Sequence, residues 1–524
     1  MPDKKLFSSA PGKHIPRTDT VNEAGGTAYA FTVRHALAQL AVTGTLPGGG
    51  SYYKSGQDGL KEALNTAAKC EAGWIAKCAI YAAEHGMKDM PALLLAYLST
   101  CDIALTETVF PRIVHNSRML RGFCQILRSD VVGRKSFGRV LKRCIRQWLD
   151  SRSEYQLFGD AVGGKSAGGV SIADIIKMVH PKPANAEREA LYGYIIGKEG
   201  VPDVVRAYEA FKAGETEELP NVRWELLTAL DLKPEHWKLI ARRAGWRQAV
   251  KQLNTFHRHQ VLDDPETVEI LAQKIADEET ISKLKPFPHE LVSAYKFGIT
   301  APQPILDALH AAMEYVTAYV KVPAGKVLLG VDVSGSMGSP VTGWRGSATG
   351  KLCCTDVACL LAAVVAKRNP DAQVIPFDTK RYDIRIDRMN PILTTAEQLS
   401  QRGGGGTSVS IPLAWALDTG FEPDHVILLS DNESWADSRG SSAATKTMRC
   451  FRQLQQKVPH LRMVCLDLQP DTSTQAADEA DVLNLGGWSN QLWSVIVDFL
   501  EHGQNPDDPN LWLQEIDAIT IDGQ

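Results

Sequence analysis

The chain contains 524 residues, which is enough for more than one domain and a large hydrophobic core. Hydrophobic residues make up 44% and charged residues 23%, as in ordinary globular proteins. The formal net charge of -4 at pH 7 excludes nucleic-acid binding through overall positive charge, so any basic surface must be local.

The N-terminal sequence and the cysteines indicate a cytoplasmic protein. The first residues, MPDKKLFSSAPGKH, contain no apolar signal segment, and no later run approaches the roughly 18 apolar residues of a membrane-spanning helix. The ten cysteines are scattered, without C-x-x-C pairs or histidines at zinc-ligand spacing. We therefore expect reduced, buried thiols and no membrane contact. We also expect a monomer.

The first half of the chain has a helical pattern. Residues 1–25 lack periodicity and are expected to form a flexible N-terminal arm. Residues 26–321 contain successive helical segments without intervening strand patterns, for example Leu60–Ala68, Ile75–His85 and Met90–Ser99. Paired helices of this kind bury their apolar faces by stacking on the next pair, which predicts an α-solenoid.

A basic helix is predicted over residues 135–150, KSFGRVLKRCIRQWLD. Four cations recur at a spacing that places them on one helical face: Lys135, Arg139, Lys142 and Arg146. The opposite face is apolar. RNA phosphates would relieve the repulsion among these charges, whereas a solvated helix face is an equally open alternative.

A glycine-rich loop with Lys165 follows, and then a helix over residues 171–180 that ends in H-P-K-P. Lys177 and His180 lie one turn apart and could face the same ligand as Lys165, although His180 could instead simply cap the helix. The loop superficially matches a Walker motif. However, its spacing is too short and no buried strand precedes it, which argues against nucleotide hydrolysis.

Residues 326–500 alternate strands and helices, which predicts a doubly wound α/β domain. Predicted strands include Ala372–Phe377, Tyr382–Ile386 and Met463–Leu468, and the last predicted helix is Leu492–Leu500. Residues 501–524 form an acidic tail, for which both docking and disorder are open.

Polar side chains follow two buried strands of this domain. Asp332, Ser334 and Ser336 end the apolar run KVLLGV, and Asp431 ends the run HVILLS. Thr407 follows four glycines. Carboxyl ends of parallel strands are the usual ligand edge of such sheets. Because all these donors are hard oxygens, the sequence predicts a divalent cation site for Mg²⁺, with Ca²⁺ or Mn²⁺ as alternatives.

This set of five residues resembles the metal-ion-dependent adhesion site of von Willebrand factor A domains. The order of motifs along the chain is similar to that of the Ro autoantigen family. The motifs are an early GGGSYY segment, a basic helix, a glycine loop with Lys165, H-P-K-P, K-P-F-P-H-E-L and this domain. The helical part of that family is called the TROVE module. The resemblance implies a HEAT-repeat ring over residues 26–321 that holds the ends of misfolded non-coding RNAs in its central hole.

The same resemblance implies that Y RNA binds the outer surface at four residues, namely Lys165, Lys177, His180 and Lys182. It also implies that an exoribonuclease, polynucleotide phosphorylase, is a partner of bacterial members. In the metal site, one coordination position would be left for an acidic group from a partner.

The sequence favours an RNA-binding protein without catalytic activity that acts in RNA quality control, maturation or decay. A metal-dependent scaffold that recruits acidic proteins is the alternative. A metal-dependent hydrolase is disfavoured because no carboxylate cluster for a second metal and no well-placed general base can be identified in the sequence.

Overall fold

The computed structural model describes residues 15–42, 55–162, 169–198, 200–286, 288–297, 301–318, 320–341, 352–438, 444–487, 490–504 and 510–521. They belong to two compact units. The helical unit comprises Ala67–Leu271 and Ile519–Gln524, and the α/β unit comprises Met1–Thr66 and Ala272–Ala518.

The helices are, in chain order, α1 (Val33–Ala41), α2 (Gly56–Ala67), α3 (Ala72–Glu84), α4 (Met90–Cys101), α5 (Ile103–Ile113), α6 (Ser117–Arg128), α7 (Gly138–Asp150), α8 (Glu154–Val162), α9 (Ile172–Val179), α10 (Ala186–Ile195), α11 (Asp203–Ala213), α12 (Trp224–Leu227), α13 (Pro234–Arg243), α14 (Trp246–Lys251), α15 (Leu253–Arg258), α16 (Pro265–Ile275), α17 (Glu278–Leu284), α18 (Pro288–Phe297), α19 (Gln303–Thr317), α20 (Cys354–Arg368), α21 (Ile392–Ser400), α22 (Ile411–Thr419), α23 (Lys446–Lys457), α24 (Asn490–His502) and α25 (Leu511–Asp517). The strands are β1 (Thr20–Val21), β2 (Thr27–Ala30), β3 (Val327–Asp332), β4 (Gln373–Phe377), β5 (His425–Ser430), β6 (Arg462–Asp467), β7 (Ser473–Thr474) and β8 (Val482–Gly486). None of the described helices is both long and apolar enough to cross a lipid bilayer.

The helical unit is built from successive packed helices, as the periodicity predicted. Helix α3 packs on α4 and α5, α4 packs on α6, and α5 packs on α7. Helix α4 buries nine of its residues and is enclosed by its neighbours, whereas α6 and α7 bury one apolar stripe each. This pattern of contacts with the next helix and the next but one is typical of an α-solenoid. Closure into a ring stays a prediction.

The basic helix begins three residues later than predicted, at Gly138. Gly138 has a φ of 63°, a left-handed conformation that a continuous helix cannot contain. In addition, Arg134 donates hydrogen bonds to the carbonyl oxygens of Ser136 and Phe137. Lys135 therefore precedes the helix and does not extend its basic face.

A parallel five-stranded sheet forms the centre of the α/β unit, with the strand order β4-β3-β5-β6-β8. Every residue of β3 is buried, as expected for a strand covered on both faces. Helices α20 and α22 both contact this strand. The predicted doubly wound α/β fold is confirmed.

The predicted strand over residues 382–386 is wrong. After β4 the chain turns back on itself, because Tyr382 N donates a hydrogen bond to Pro376 O and its hydroxyl donates to Asp378. The alternating polar and apolar residues of YDIRI therefore belong to a loop that folds over the end of β4. Sequence alternation alone did not distinguish this loop from an edge strand.

The α/β unit contains further elements on both sides of residues 326–500. Strand β2 pairs with β1 and with β7 in a small antiparallel sheet. Thr20 and Val21, which fall in the predicted flexible arm of residues 1–25, therefore belong to a strand. Helices α18 and α19 contact α20 and α21, and Lys296 forms an ion pair with Asp356 at 2.7 Å.

The C-terminal tail docks through α25. The Trp512 side chain is fully buried, and Asn510 caps the helix by accepting a hydrogen bond from Leu513 N. Next to it, the buried His35 of α1 contacts Asp478 at 2.7 Å. This pair ties α1 to the loop before β8, and Asn510 Nδ2 donates a hydrogen bond to the same carboxylate at 3.4 Å.

Candidate metal centre and basic surface

The two predicted carboxylates lie side by side at the carboxyl edge of the parallel sheet. Strands β3 and β5 are neighbours in register, with Val331 opposite Leu429, so Asp332 and Asp431 follow at the same edge. Asp332 is fully buried and Asp431 is buried. Ser334 and Ser336 are buried as well, and their hydroxyl oxygens lie 3.2 Å apart.

Local hydrogen bonds fix the Asp332 carboxylate. One oxygen accepts from Ser334 N at 2.8 Å, and the other accepts from the Ser430 hydroxyl at 2.5 Å. The side chain cannot rotate without breaking both contacts. The turn after β3 then continues as a short 3-10 helix, Ser336–Gly338, which fixes the backbone that carries the second hydroxyl.

Backbone hydrogen bonds join the glycine loop before Thr407, Gly403–Gly406, to the turn after β3. Gly335 N donates to Gly405 O at 2.9 Å, and Gly404 N donates to Val333 O at 2.8 Å. Gly403 has a φ of 110°, and a Cβ atom there would overlap Val333 O, so only glycine fits this close approach. This contact brings Thr407, which is 1% exposed, to the strand edge.

Asp378 stabilises the glycine loop before Thr407 through hydrogen bonds. Its carboxylate accepts hydrogen bonds from Gly405 N at 3.0 Å and from the Tyr382 hydroxyl at 2.7 Å. Burial alone would raise the pKa of this carboxyl, but the hydrogen bonds, that of Tyr382 first, lower the pKa below its usual value. Asp378 thus carries a negative charge that orders the loop without belonging to the predicted ligand set.

The predicted ligand atoms fit a hard divalent cation. Among the described residues, Thr407 Oγ1 and Asp431 Oδ2 are buried polar atoms without a hydrogen-bond partner. Burial, together with the nearby Asp431 charge, raises the pKa of Asp332 to about 7, and burial also raises the pKa of Asp431. Two buried acids beside converging hydroxyls are typical of a cation site. A bound ion would act as an electrophile that attracts an anionic ligand oxygen.

Two polar residues at this edge were not predicted from sequence. Ser430, directly before Asp431, orients Asp332, and the pattern Ser-Asp at a strand end is the signal that could have identified it. Asp467 lies opposite Ser430 at the end of β6, is fully buried, and leaves Oδ2 without a hydrogen-bond partner among the described residues. Burial first, and then the Asp431 charge, raises the pKa of Asp467 well above its usual value.

Glu433, two residues after Asp431, is buried. Its carboxylate accepts a hydrogen bond from Ala24 N at 3.0 Å. Oxygens of Glu433, Glu23 and Asp471 lie within 4.8 Å of one another. Burial raises the pKa of Glu433 to about 9, with a smaller contribution from the neighbouring acids.

The predicted basic residues lie in and next to α7 and α9 of the helical unit. Arg139, Lys177, His180 and Lys182 are exposed, and Lys142 is half-buried. Lys165 lies outside the described residues. Within the described part of the helical unit, no carboxylate is within ion-pair distance of Arg139, Lys142, Lys177 or Lys182, so their charges are available to an anion.

Arg146 joins the two helices. Its Nε atom donates a hydrogen bond to Val179 O at 2.7 Å, at the C-terminal end of α9. The contact joins α7 to the C-terminal end of α9. We call five residues of these two helices and of the segment after α9 the basic surface: Arg139, Lys142, Lys177, His180 and Lys182. Arg146 itself is half-buried and supports this surface through a protein contact.

Other cations of α7 and its N-terminal flank are paired with acids. Lys135 lies 3.0 Å from Asp130, and both side chains are exposed. Arg143 donates two hydrogen bonds of 2.7 Å to Glu107. For Lys135 and Arg143, the structure therefore agrees with the alternative interpretation of the basic helix, in which its charges are solvated or paired with acids and do not bind RNA.

His180 ends α9 in the left-handed conformation, with a φ of 48°. Its backbone N–H donates to Ile176 O, so the residue is a helix C-cap, as one interpretation of the sequence held. The conformation turns the following H-P-K-P segment away from the helix axis. The imidazole is exposed beside Lys182 and remains accessible to a ligand.

Comparison with known proteins agrees with this architecture. Residues 326–500 match the family model described as the Ro60 vWA domain. The RNA-binding protein RO60 of Deinococcus radiodurans is 24% identical over 95% of this chain and 99% of its own length. The RNA-binding protein RO60 of Caenorhabditis elegans is 22% identical over 45% of this chain and 37% of its own length.

A solved structure shares the fold over most of the chain. The crystal structure of the Deinococcus radiodurans RO (RSR) protein has a TM-score of 0.61 and 20% sequence identity, and the match covers 90% of this chain and 99% of that chain. A helical region followed by a parallel five-stranded sheet is therefore common to both. Over most of its length the chain is thus similar to RO60 proteins, and residues 326–500 match the Ro60 vWA domain.

Proposed function

We propose that this protein binds RNA through the basic surface of its helical unit. The observation that carries the proposal is that four cations, Arg139, Lys142, Lys177 and Lys182, have no acidic partner among the described residues and lie on two helices and a segment joined by Arg146. Lys and Arg side chains bind RNA mainly by neutralising phosphates and releasing counterions. The relatives named RNA-binding protein RO60 support the same conclusion.

The RNA that we propose is non-coding RNA, either small Y RNA or misfolded RNA with a single-stranded 3′ end. Such binding would serve RNA quality control, maturation or decay, without catalysis by this chain, and in cooperation with an exoribonuclease such as polynucleotide phosphorylase. A cytoplasmic monomer is part of the proposal. The ten cysteines are all free thiols, which suits a reducing compartment.

The proposed cofactor is a divalent cation, most simply Mg²⁺, held by the five predicted oxygen ligands: Asp332, Ser334, Ser336, Thr407 and Asp431. The partnerless oxygens of Thr407 and Asp431 support this assignment. The same atoms favour a second candidate function, in which the metal centre binds an acidic group of a partner protein. If the protein has that function, it should bind an acidic peptide in the presence of Mg²⁺ and not in its absence.

The RNA proposal is tested by fluorescence anisotropy with a labelled hairpin that carries a single-stranded 3′ tail. The affinity should fall steeply with salt, with a slope of log K against log salt of roughly -0.7 for each single-strand phosphate contact. A protein that fails to bind at the lowest salt concentration would refute the proposal.

A further inference from the structure

Trp435 is an exposed aromatic residue next to the metal centre. It lies four positions after Asp431, and 39% of its surface is exposed, which makes it one of the few large apolar side chains that the described α/β unit leaves in solvent. The exposed part of the indole contributes little to folding, because that apolar area is not removed from water. A ligand that covers it would gain that area.

The loop that carries Trp435 is held on two sides. Ala436 N donates to Thr407 O at 3.1 Å, and Val409 N donates to the Ser434 hydroxyl at 3.1 Å. From the N-terminal segment, Asn22 Nδ2 donates to Ser434 O at 3.3 Å. The indole is therefore presented by a fixed backbone and does not belong to a loosely held turn.

The indole packs directly on the glycine loop. A Cβ atom at Gly406 would overlap the benzene ring of Trp435, so the ring lies against the Gly406 backbone. Gly406 immediately precedes Thr407, one of the two ligands with a partnerless oxygen. The aromatic ring thus contacts the residue next to a proposed metal ligand.

A ligand that uses both features must combine an anionic oxygen with a flat ring. An acidic peptide supplies the oxygen but gives no reason for an exposed indole, whereas a nucleotide supplies a phosphate and a base in one unit. Stacking of bases on aromatic side chains is the common mode of single-strand recognition. We propose that the metal centre and Trp435 together bind a nucleotide of single-stranded RNA, with a phosphate oxygen on the cation and the base on the indole.

This proposal rests on the proposed RNA-binding function and adds a second contact to it. The probe is a uridine tetranucleotide with one 5-iodouridine, mixed with the full chain in Mg²⁺ or in EDTA and irradiated. Cross-linked peptides are then identified by mass spectrometry. The expected result is a cross-link at Trp435 that appears in Mg²⁺ and disappears in EDTA.

Variants separate stacking from folding. Trp435→Ala should weaken tetranucleotide binding about tenfold, and Trp435→Phe should restore most of it, because base stacking needs only an aromatic face. Magnesium affinity of Trp435→Ala, measured by calorimetry, should equal that of the wild type and thereby show an intact metal site. Binding of a blunt RNA hairpin through the basic surface should also be unchanged.

Each other outcome overturns the proposal in a distinguishable way. Tetranucleotide binding that ignores both EDTA and Trp435→Ala would exclude the nucleotide site and leave the basic surface in place. Magnesium-dependent capture of an acidic peptide without any tetranucleotide binding would assign the centre to a protein ligand. Loss of hairpin binding by the wild-type chain would instead refute the proposed function itself.

Discussion

Arg146 Nε donates a hydrogen bond to Val179 O at 2.7 Å and so joins the basic helix α7 to the C-terminal end of α9. A helix C-terminus carries partial negative charge on its free carbonyl oxygens, and a guanidinium satisfies both the charge and the acceptor. One residue of the predicted basic face is thus a structural contact between the two helices that carry or precede the remaining cations.

Replacing Arg146 should therefore reduce both stability and RNA affinity. Arg146→Ala leaves the Val179 carbonyl without this donor, and we expect a loss of about 1–2 kcal/mol in the free energy of unfolding, measured by urea denaturation. Arg146→Lys keeps the charge but not the geometry of Nε. A lysine variant that is as stable as the wild type would mean that charge alone supports the contact.

Loss of the metal ligands should abolish magnesium binding. Asp332→Ala and Thr407→Val each remove one oxygen donor from the proposed set, and calorimetry should show no magnesium heat for the first and at least about tenfold weaker binding for the second. Asp383→Asn is a matched control, because this acid pairs with Arg381 at 2.8 Å and belongs to the loop after β4. Equal magnesium affinity in all four proteins would contradict the site.

Thiol labelling should distinguish the cysteines by burial. Cys101 is exposed, Cys70 and Cys353 are partly buried, and the other seven are buried. Burial raises the pKa of Cys144 to about 11 and that of Cys124 further, so little reactive thiolate forms there. We expect one fast-reacting thiol per chain under native conditions and ten in denaturant. Several fast thiols in the native protein would contradict the described packing.

The contact between His35 and Asp478 should make stability depend on pH. Burial alone would raise the pKa of Asp478, but the His35 ring and its hydrogen bond lower the pKa below its usual value. The folded state therefore binds this proton more weakly than the unfolded state. The stabilisation is complete at neutral pH and is lost as the pH falls below about 4 through the folded-state pKa.

Asp478→Asn tests this dependence. At pH 7 the variant should be less stable than the wild type by about 1–3 kcal/mol in urea unfolding, because a charged hydrogen bond is weakened. The difference should shrink when the comparison is repeated at about pH 3.5, near the ordinary pKa of an aspartate. A difference that stays constant or grows on acidification would show that the carboxylate is not the stabilising form.

The sequence predicted the α/β domain and its polar edge well because the signals are local. A buried strand is a run of apolar residues, and the residues that follow it must lie at the carboxyl edge of the sheet. Asp332 and Asp431 could therefore be placed together from the order of residues alone. The glycines before Thr407 gave a similar local signal, since a close backbone approach requires them.

Long-range relationships were not predictable in this way. Strand β1 has only two residues, which is too short for an alternating pattern to be recognised in the sequence. Strand β2 pairs with residues 473–474, and this pairing between distant segments leaves no local sequence signal. The role of Arg146 depends on a carbonyl 33 residues away. The position of Trp435 depends on Gly406 and on Asn22 of the N-terminal segment, both distant from it in sequence.

The most direct test of the account is the RNA affinity of a variant in which two cations of the basic surface are reversed. Arg139→Glu with Lys142→Glu leaves the Arg146 contact in place, and Arg143→Ala, on the paired side of α7, is the control. In low-salt anisotropy with the tailed hairpin, the double variant should lose at least about a hundredfold in affinity and show a shallower salt slope, while the control binds as the wild type does. An unchanged affinity of a folded double variant would contradict the assignment of RNA binding to the basic surface.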